Sequence, residues 1–504
     1  MELPLVSIAI LSALAGAGLT LAIGRKDHRI ARVVALATSL VPLAIASYLL
    51  ITLADAPKTA TGYGFYEKYQ WIPGLGIQII FGLDGLGAPM FFLTALLVTL
   101  GIVFAWDQTE RASTFHAMLM ILNAAVLGVF SALDLFLFYV FWEFVLIPMY
   151  FLIAIWGGPR KKYAAIKFFI YTFTASLVML LAFMALYFEA FPSGARSFAI
   201  EDIVAANGRF SQGFQQIVFL ALFVGFAVKF PVFPFHTWLP DAHVEAPTAG
   251  SVLLAGVLLK MGSYGLIRIA LPVAPFGAQW LVPLMFVIAV ASMIYASAIC
   301  LVQRDYKKLV AYSSIGSMGL VLLGIAASVH TGSELGLVGA NFMMLAHGFI
   351  SPALFMLCGV LAHNLGTRDI PSMGGLAAKL PKSATYMVIF SMAGLGLPGL
   401  AAFIAEFQIY GATWEAFGIY ILIPLVYLVL SAAYYLWALQ RAFFGPFTEK
   451  PGVHYGHTYD LHWHEAVPLA ILLLFTALYG LWPRLLTDVL DGPVRALLLT
   501  MGVA

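Results

Sequence analysis

Charge is scarce in this sequence. Asp, Glu, Lys and Arg make up 10% of its 504 residues, against about 25% in a soluble domain, which leaves little room for a soluble domain. Cysteine is scarcer still: Cys300 and Cys358 lie in separate apolar runs, which argues against a disulfide frame, a thiolate metal site or an iron–sulfur cluster. The net charge of +2 gives no reason to invoke nucleic acid. No Walker A motif, no dinucleotide fingerprint after a strand and no thiolate or bis-histidine haem pattern is found. Neither ATP hydrolysis nor redox chemistry, and no bound cofactor, is therefore expected within this chain. A basic stretch ahead of the first apolar run is also missing. The small residues from Ala13 to Ala17 are accordingly expected to belong to an uncleaved first helix rather than to a signal peptide.

What fills the space is apolar. Hydrophobic residues reach 62% and the mean hydropathy is +0.96, values of a polytopic membrane protein. Runs at 3–23, 30–54, 84–106, 112–130, 133–156, 163–189, 215–235, 249–271, 278–302, 308–328, 335–363, 384–412, 416–445 and 464–483 each approach or exceed the ~20 residues that cross a hydrocarbon core. They predict an all-α integral membrane protein of about fourteen transmembrane helices. Only Ser131 and Ala132 separate the fourth run from the fifth. The 55–83 connection carries an alternating set, Ile77, Ile79, Phe81 and Leu83, that reads as a hairpin strand outside the membrane. The tail after Pro483 is too polar in its first half to span and reads as an interfacial amphipathic helix. Most lysines and arginines lie in connections that follow odd-numbered runs, among them Arg111, Arg160, Lys161, Lys162, Arg304, Lys307 and Lys308. By the positive-inside rule both termini are expected on the outer face.

A few ionisable residues lie deep in the runs. The segment 215–271 joins two apolar stretches through a polar connection, breaks at Pro231 and Pro234, and places Lys229 in one half and Lys260 in the other. A charge at the bilayer centre costs ~3 kcal/mol or more, so it requires a partner, water or a function. Proline opens the helix beside Lys229, and an open backbone is tolerated only where protein or a wet cavity covers it. Glu143 in FYVFWEFVLIPMYFL lies eleven residues into its run, and His347 is at a similar count in another. Glu406 follows a second break, Gly394 to Gly399 around Pro398. Together Glu143, Lys229, Lys260, His347 and Glu406 suggest a polar row at comparable depth. Each has a bland counterpart: a buried Glu–Lys pair can be a structural tie, and a lone membrane histidine can be a satisfied packing residue. Five such residues serving packing alone would multiply an avoidable cost. Lys167, early in its run, can extend to the interface. Asp84, Asp134 and Asp241 sit at run edges, where carboxylates cap helices. His454, His457, His462 and His464 crowd one short connection, as a solvated loop or, less in keeping with their spacing, a metal site.

The stretch FPFHTWLPDAHVEAPTAGSVLLAGVLLKMGSYGLIR, with FGLDGLGAPM, RKKYAAIKFFIYT, QRDYKKLVAYSSIGSMG, LAHGFISPALFMLCG and TRDIPSMGGLAAKLP in the same order, resembles the proton-conducting, antiporter-like membrane subunits of respiratory complex I and their relatives. The resemblance covers most of the chain and is greatest to the M-type branch, which has a carboxylate at the position of Glu406. It implies two inverted five-helix repeats with discontinuous helices 7 and 12. The expected division is helices 1–3 at 1–111, repeats at 112–277 and 278–445, and helix 14 with the tail at 446–504. It also implies roles: Glu143 facing Lys229, relay through Lys260 and His347, and Glu406 as exit group. The energy would come from quinone reduction in other subunits, which would hold the flavin, iron–sulfur clusters and quinone. Expected partners are L-type and N-type neighbours and membrane lipid, in a bacterial or archaeal plasma membrane, with thylakoid and mitochondrial inner membranes as alternatives. A sodium–proton antiporter subunit, or a subunit of a related deazaflavin-, ferredoxin- or hydrogen-fed complex, remains open from the residues.

Overall fold

The computed structural model describes residues 3–25, 27–192, 196–447 and 459–503. Long apolar runs make helices because only a helix satisfies its own backbone polar groups in hydrocarbon. In order they are α1 (Leu5–Ile23), α2 (His28–Thr52), α3 (Gly87–Phe104), α4 (Ala112–Ser131), α5 (Leu135–Trp156) and α6 (Lys161–Ala190). Next come α7 (Gln212–Lys229), α8 (Trp238–Glu245), α9 (Thr248–Val273), α10 (Pro275–Val302), α11 (Tyr306–Thr331) and α12 (Glu334–Leu365). The last are α13 (Pro381–Gly394), α14 (Ala401–Phe417), α15 (Leu422–Phe443), α16 (Trp463–Leu481) and α17 (Arg484–Met501). Among the described residues, thirteen apolar helical segments are long enough to cross a membrane; one of these, Ala401–Phe443, divides at Gly418–Ile421 into α14 and α15. The chain is a multi-pass integral membrane protein.

Burial separates an inner set of helices from an outer one. The apolar windows of α9, α12, α3 and α11 are 100%, 94%, 94% and 89% buried, whereas that of α2 is 28% buried. The inner helices are therefore covered by protein on all sides, and any charge they carry is removed from lipid. Close approach depends on small residues. Gly262 and Gly265 of α9 lie against Phe230 and Phe226 at the end of α7, where an added Cβ would come within 2.6 and 2.3 Å.

The narrow boundary between the fourth and fifth runs is a real chain reversal. Asp134 caps α5 by accepting from the Phe136 and Leu137 amides, both at 3.0 Å. The linking residues are held in extended hydrogen bonds, Leu133 N–H to Ile80 O and Ile200 N–H to Leu133 O, each 2.9 Å. The expected strand is part of an antiparallel hairpin, β1 (Gly64–Ile72) and β2 (Ile77–Leu83). Ile77, Phe81 and Leu83 are buried as the alternation predicts, but Ile80 is buried as well, because a second cluster with Tyr63, Leu133 and Ala199 covers the other face. Glu67 of β1 caps α1 from a distance in sequence, accepting from the Val6 amide at 2.8 Å and from the Ser7 amide and hydroxyl. An anion at a helix N-terminus satisfies free amides and the helix dipole together. The tail forms α17, whose buried residues Leu486, Leu490, Val494, Leu497 and Leu498 face the bundle, with Arg495 bonded to Glu334 at the start of α12 at 2.8 Å.

Candidate functional site

The first break in the bundle is sharper than the 215–235 run suggests. Helix α7 ends at Lys229, not at 235, and residues 230–237 leave helical geometry before α8 begins. Pro231 and Pro234 supply no amide hydrogen, while the freed groups are satisfied locally. The Trp238 indole donates to Val228 O at 2.9 Å, and the Phe233 amide donates to Ser292 Oγ at 2.8 Å. Lys229 is buried, and its ammonium lies 5.5 Å from the Trp142 ring and 5.6 Å from the Phe168 ring. It has no hydrogen-bond partner among the described residues. Glu143 neighbours it, and the Glu143 carboxylate is itself met by Tyr139 and Ser176. No ion pair closes between Glu143 and Lys229, and one Glu143 oxygen is likewise without a partner among the described residues. The two charges thus share a pocket without touching.

Lys260 and His347 do touch. The Lys260 ammonium lies 2.7 Å from His347 Nδ1 and donates to Ala255 O at 2.5 Å. Composition gave no sign of the local backbone: α9 passes through π-helical turns at Leu254–Leu258 and Leu266–Ala270, on either side of Lys260. Single π turns recur at functional sites because they loosen carbonyls from the regular ladder, and Ala255 in the first of them is the carbonyl Lys260 uses. Phe230, which follows Lys229, packs on Gly262, two residues past Lys260. The first break therefore abuts the Lys260 turn.

Glu406 is buried in α14 beyond the second break. Residues 395–400 leave the helix, with Gly396 at φ +81° and Gly399 at φ +92°. The Glu406 carboxylate fills the place where a Gly396 side chain would stand. Between His347 and Glu406 runs a set of hydroxyls that sequence reasoning did not single out. Ser351, one turn after His347, lies 3.1 Å from Ser314 of α11. Tyr435 donates to Ser313 at 3.2 Å, and Tyr427 is 3.4 Å from Ser317. Tyr435 in turn packs against Gly394, at the end of α13. The signal was present in SSIGS, residues 313–317, which puts three serines into an otherwise apolar helix.

Other candidates resolve differently. Lys167 bonds Asp241 at 2.7 Å, and Arg160 pairs with Glu245 at 3.6 Å. Both pairs tie α8 to the α6 end of the bundle. Lys167 and Asp241 line a polar cavity of about 280 Å³ with His236, Tyr295, Lys308 and Tyr312 beneath the first break. Asp84 caps α3 through the Leu86 and Gly87 amides, both 3.0 Å, and also binds Arg268 of α9, which is surrounded by the Tyr63 and Tyr264 hydroxyls. Of the histidine cluster, His454 and His457 lie outside the described residues. His462 forms a capping box with Glu465, and His464 Nδ1 is 3.3 Å from Phe104 O. Among the described residues no group of three metal-ligating side chains comes together.

Residues 132–431 match a family described as NADH:quinone oxidoreductase/Mrp antiporter, transmembrane. The chain is 40% identical over 506 residues to NADH-quinone oxidoreductase subunit M of Rhodobacter capsulatus, covering 98% of this chain and 94% of that protein. It is 38% identical over 460 residues to F(420)H(2) dehydrogenase subunit M of Methanosarcina mazei, covering 90% and 91%. A chain of respiratory complex I from Thermus thermophilus superimposes with a TM-score of 0.88 at 29% identity, over 99% of this chain and all of that one.

Proposed function

The chain belongs to the NADH:quinone oxidoreductase/Mrp antiporter family of membrane proteins, and from that premise we propose that it is a proton-translocating membrane-arm subunit of a complex I-type NADH–quinone oxidoreductase. Quinone reduction occurs in other subunits, and this chain moves protons through Glu143, Lys229, Lys260, His347 and Glu406. The observation that carries the reading is the Lys260–His347 contact of 2.7 Å, made between two of the most completely buried helices. A base and an ammonium held at hydrogen-bond distance, deep in a bundle, can pass a proton between them without crossing lipid.

The electrostatics supply the direction of control. Lys229 sits beside Glu143 without a closed ion pair, so a small approach of the carboxylate stabilises the ammonium and a withdrawal destabilises it. A proton released at Lys229 has Lys260 as its nearest row member along α9, then His347, then the hydroxyls of Ser351, Ser314, Ser313 and Tyr435 leading to Glu406. Moving one charge through the membrane potential requires ~2.3 kcal/mol per 100 mV, so an external redox reaction must drive it.

The architecture in this reading has fourteen passes, with helices 1–3 at 1–111, inverted repeats at 112–277 and 278–445, and both termini outside. It is supported by the two breaks, each in the fourth helix of its repeat, as inverted-repeat transporters place their discontinuous helices. L-type and N-type subunits are its neighbours. The relative from Methanosarcina mazei favours a second reading of the electron donor, a reduced deazaflavin in place of NADH; assaying quinone reduction by the purified complex with each donor separates the two. The row itself is tested by Lys229→Ala in the assembled complex. Proton pumping per electron falls strongly while native gels show assembly; wild-type stoichiometry in that variant refutes the switch.

A further inference from the structure

Two polar residues in α4 are buried and unaccounted for. His116 and Asn123 are both 0% exposed, and neither ring nitrogen of His116 nor either amide atom of Asn123 has a hydrogen-bond partner among the described residues. Buried polar side chains are almost always paired, with protein or with ordered water. Four unpaired atoms in one helix therefore mark a place where water belongs, since each group offers the polar partners an internal water needs.

Their spacing says where such water leads. Positions 116, 123 and 130 repeat every seven residues, which keeps them on one stripe of the helix with a drift of only ~20° per step. The stripe is fixed in direction by Phe130, whose ring meets that of Tyr264 in α9 at 5.1 Å, while Tyr264 donates to Phe130 O at 3.0 Å. Tyr264 is one turn past Lys260. Asn123, seven residues back, is level with the π turn at Leu254–Leu258, because α4 and α9 start at the same side of the bundle and each residue rises ~1.5 Å. That π turn holds Ala255 O, to which Lys260 donates. His116 lies two turns farther back, near the Ala112 end of α4, the end that the proposed topology turns to the cytoplasm.

We propose that His116 and Asn123 line an internal water column that feeds protons from the cytoplasmic end of α4 to the Lys260–His347 pair. The proposal rests on the reading that this pair translocates protons. His116, which has Arg32 as its charged neighbour, and Asn123 both orient the water that carries the proton, the first at the mouth and the second farther in. Protons enter as hydronium and leave to Lys260, so no co-reactant is required.

The test uses the intact complex in proteoliposomes, reading protons moved per electron, redox rate and native-gel assembly. Asn123→Leu keeps the branching and heavy-atom count and removes the polar atoms. A residue that merely packs tolerates this change, because an apolar isostere of an unpaired amide leaves nothing unsatisfied. Under the proposal the variant assembles but shows a roughly two-fold or greater fall in protons per electron, because the apolar side chain excludes water from the column. Asn123→Ser, smaller and polar, restores it. His116→Leu behaves as Asn123→Leu. Normal pumping by Asn123→Leu, with Lys260→Ala impaired in parallel, overturns the column and leaves the row intact. Normal pumping by Lys260→Ala instead overturns the row and the column's role with it. A cryo-EM map of the wild-type complex that resolves water decides hydration independently: density linking His116 to Asn123 supports the column, and a dry stripe there refutes it.

Discussion

Gly396→Ala separates the geometry of the second break from its backbone conformation. Gly396 has φ +81°, and a Cβ added there would stand 2.1 Å from Glu406 Oε2 and 2.8 Å from its Cδ. Non-bonded atoms do not approach so closely, so the carboxylate must move by ~1 Å or more, a misplacement that can cost ~10²-fold in a proton-transfer site. The left-handed backbone itself costs an L residue about 1–2 kcal/mol. Gly399 provides the control. Its φ is +92°, and the nearest atom to an added Cβ is Leu481 Cδ2 at 3.9 Å, an ordinary contact. Both alanine variants thus bear positive-φ backbone strain, and only one displaces the carboxylate. In proteoliposomes with a pH-sensitive dye, Gly399→Ala is expected to assemble and pump close to wild type. Gly396→Ala is expected to assemble to a similar extent and lose most pumping, and to add nothing to the loss in Glu406→Gln, since residues acting through one group are not additive. Equal pumping by the two alanine variants refutes the placement of Glu406 in the path.

Three further outcomes follow from the same geometry. Glu406→Asp retains an acid one methylene shorter and is expected to keep a substantial part of the pumping that Glu406→Gln loses; equal activities in the two variants contradict a protonation role. Asp84→Ala leaves the buried Arg268 guanidinium with only tyrosine hydroxyls and is expected to destabilise the subunit by ~3–5 kcal/mol, read as a lower melting temperature and weaker assembly. The double variant Asp84→Ala with Arg268→Leu, which removes both charges, should recover much of that loss, and a double variant no better than the single one argues against the ion pair as the source. Cysteine introduced at Lys161 is expected to be labelled in sealed vesicles only from the cytoplasmic face; labelling from the outer face alone reverses the topology.

The helices were legible because hydrocarbon leaves the chain so few alternatives, and the breaks because proline and glycine interrupt the runs at 231–234 and 394–399. What stayed hidden has physical reasons. The end of α7 at Lys229 is not marked, because Phe230, Val232, Phe233 and Phe235 are as apolar as the helix before them. The π turns flanking Lys260 have no composition of their own: they change which carbonyl each amide meets, not which residues are used. The serines of α11 look like ordinary helix serines, and Ser314 does bond its own helix at Val310 O, 3.1 Å away, while also reaching Ser351. The partner of Lys167 was hidden because Asp241 lies 74 residues away in α8. The five row residues were visible as charges out of place, but their distances were not: Lys260 and His347 are in contact, whereas Glu143 and Lys229 are neighbours with no closed bond.

The two breaks also explain why one carries a cation and the other an anion. Lys229 is the last residue of α7, where the negative end of the helix dipole favours an ammonium. Glu406 stands in the second turn of α14, which begins at Ala401 after the break. There the free amides and positive dipole end lie on the carboxylate's side of the membrane interior, though the effect weakens beyond the first turn. The end of α7 therefore favours the charge that stands at it, whereas Glu406 lies a turn inside its helix. The supports differ accordingly. At the first break Trp238 and Ser292 hold the opened backbone and ion pairs anchor α8, while Glu143 is held beside Lys229 by Tyr139 and Ser176. At the second, the carboxylate is seated against a bare glycine with no side chain between them. Glu406 is thus positioned by shape, Lys229 by electrostatics, and the same displacement of ~1 Å acts on the first through steric exclusion and on the second through the Coulomb term with Glu143.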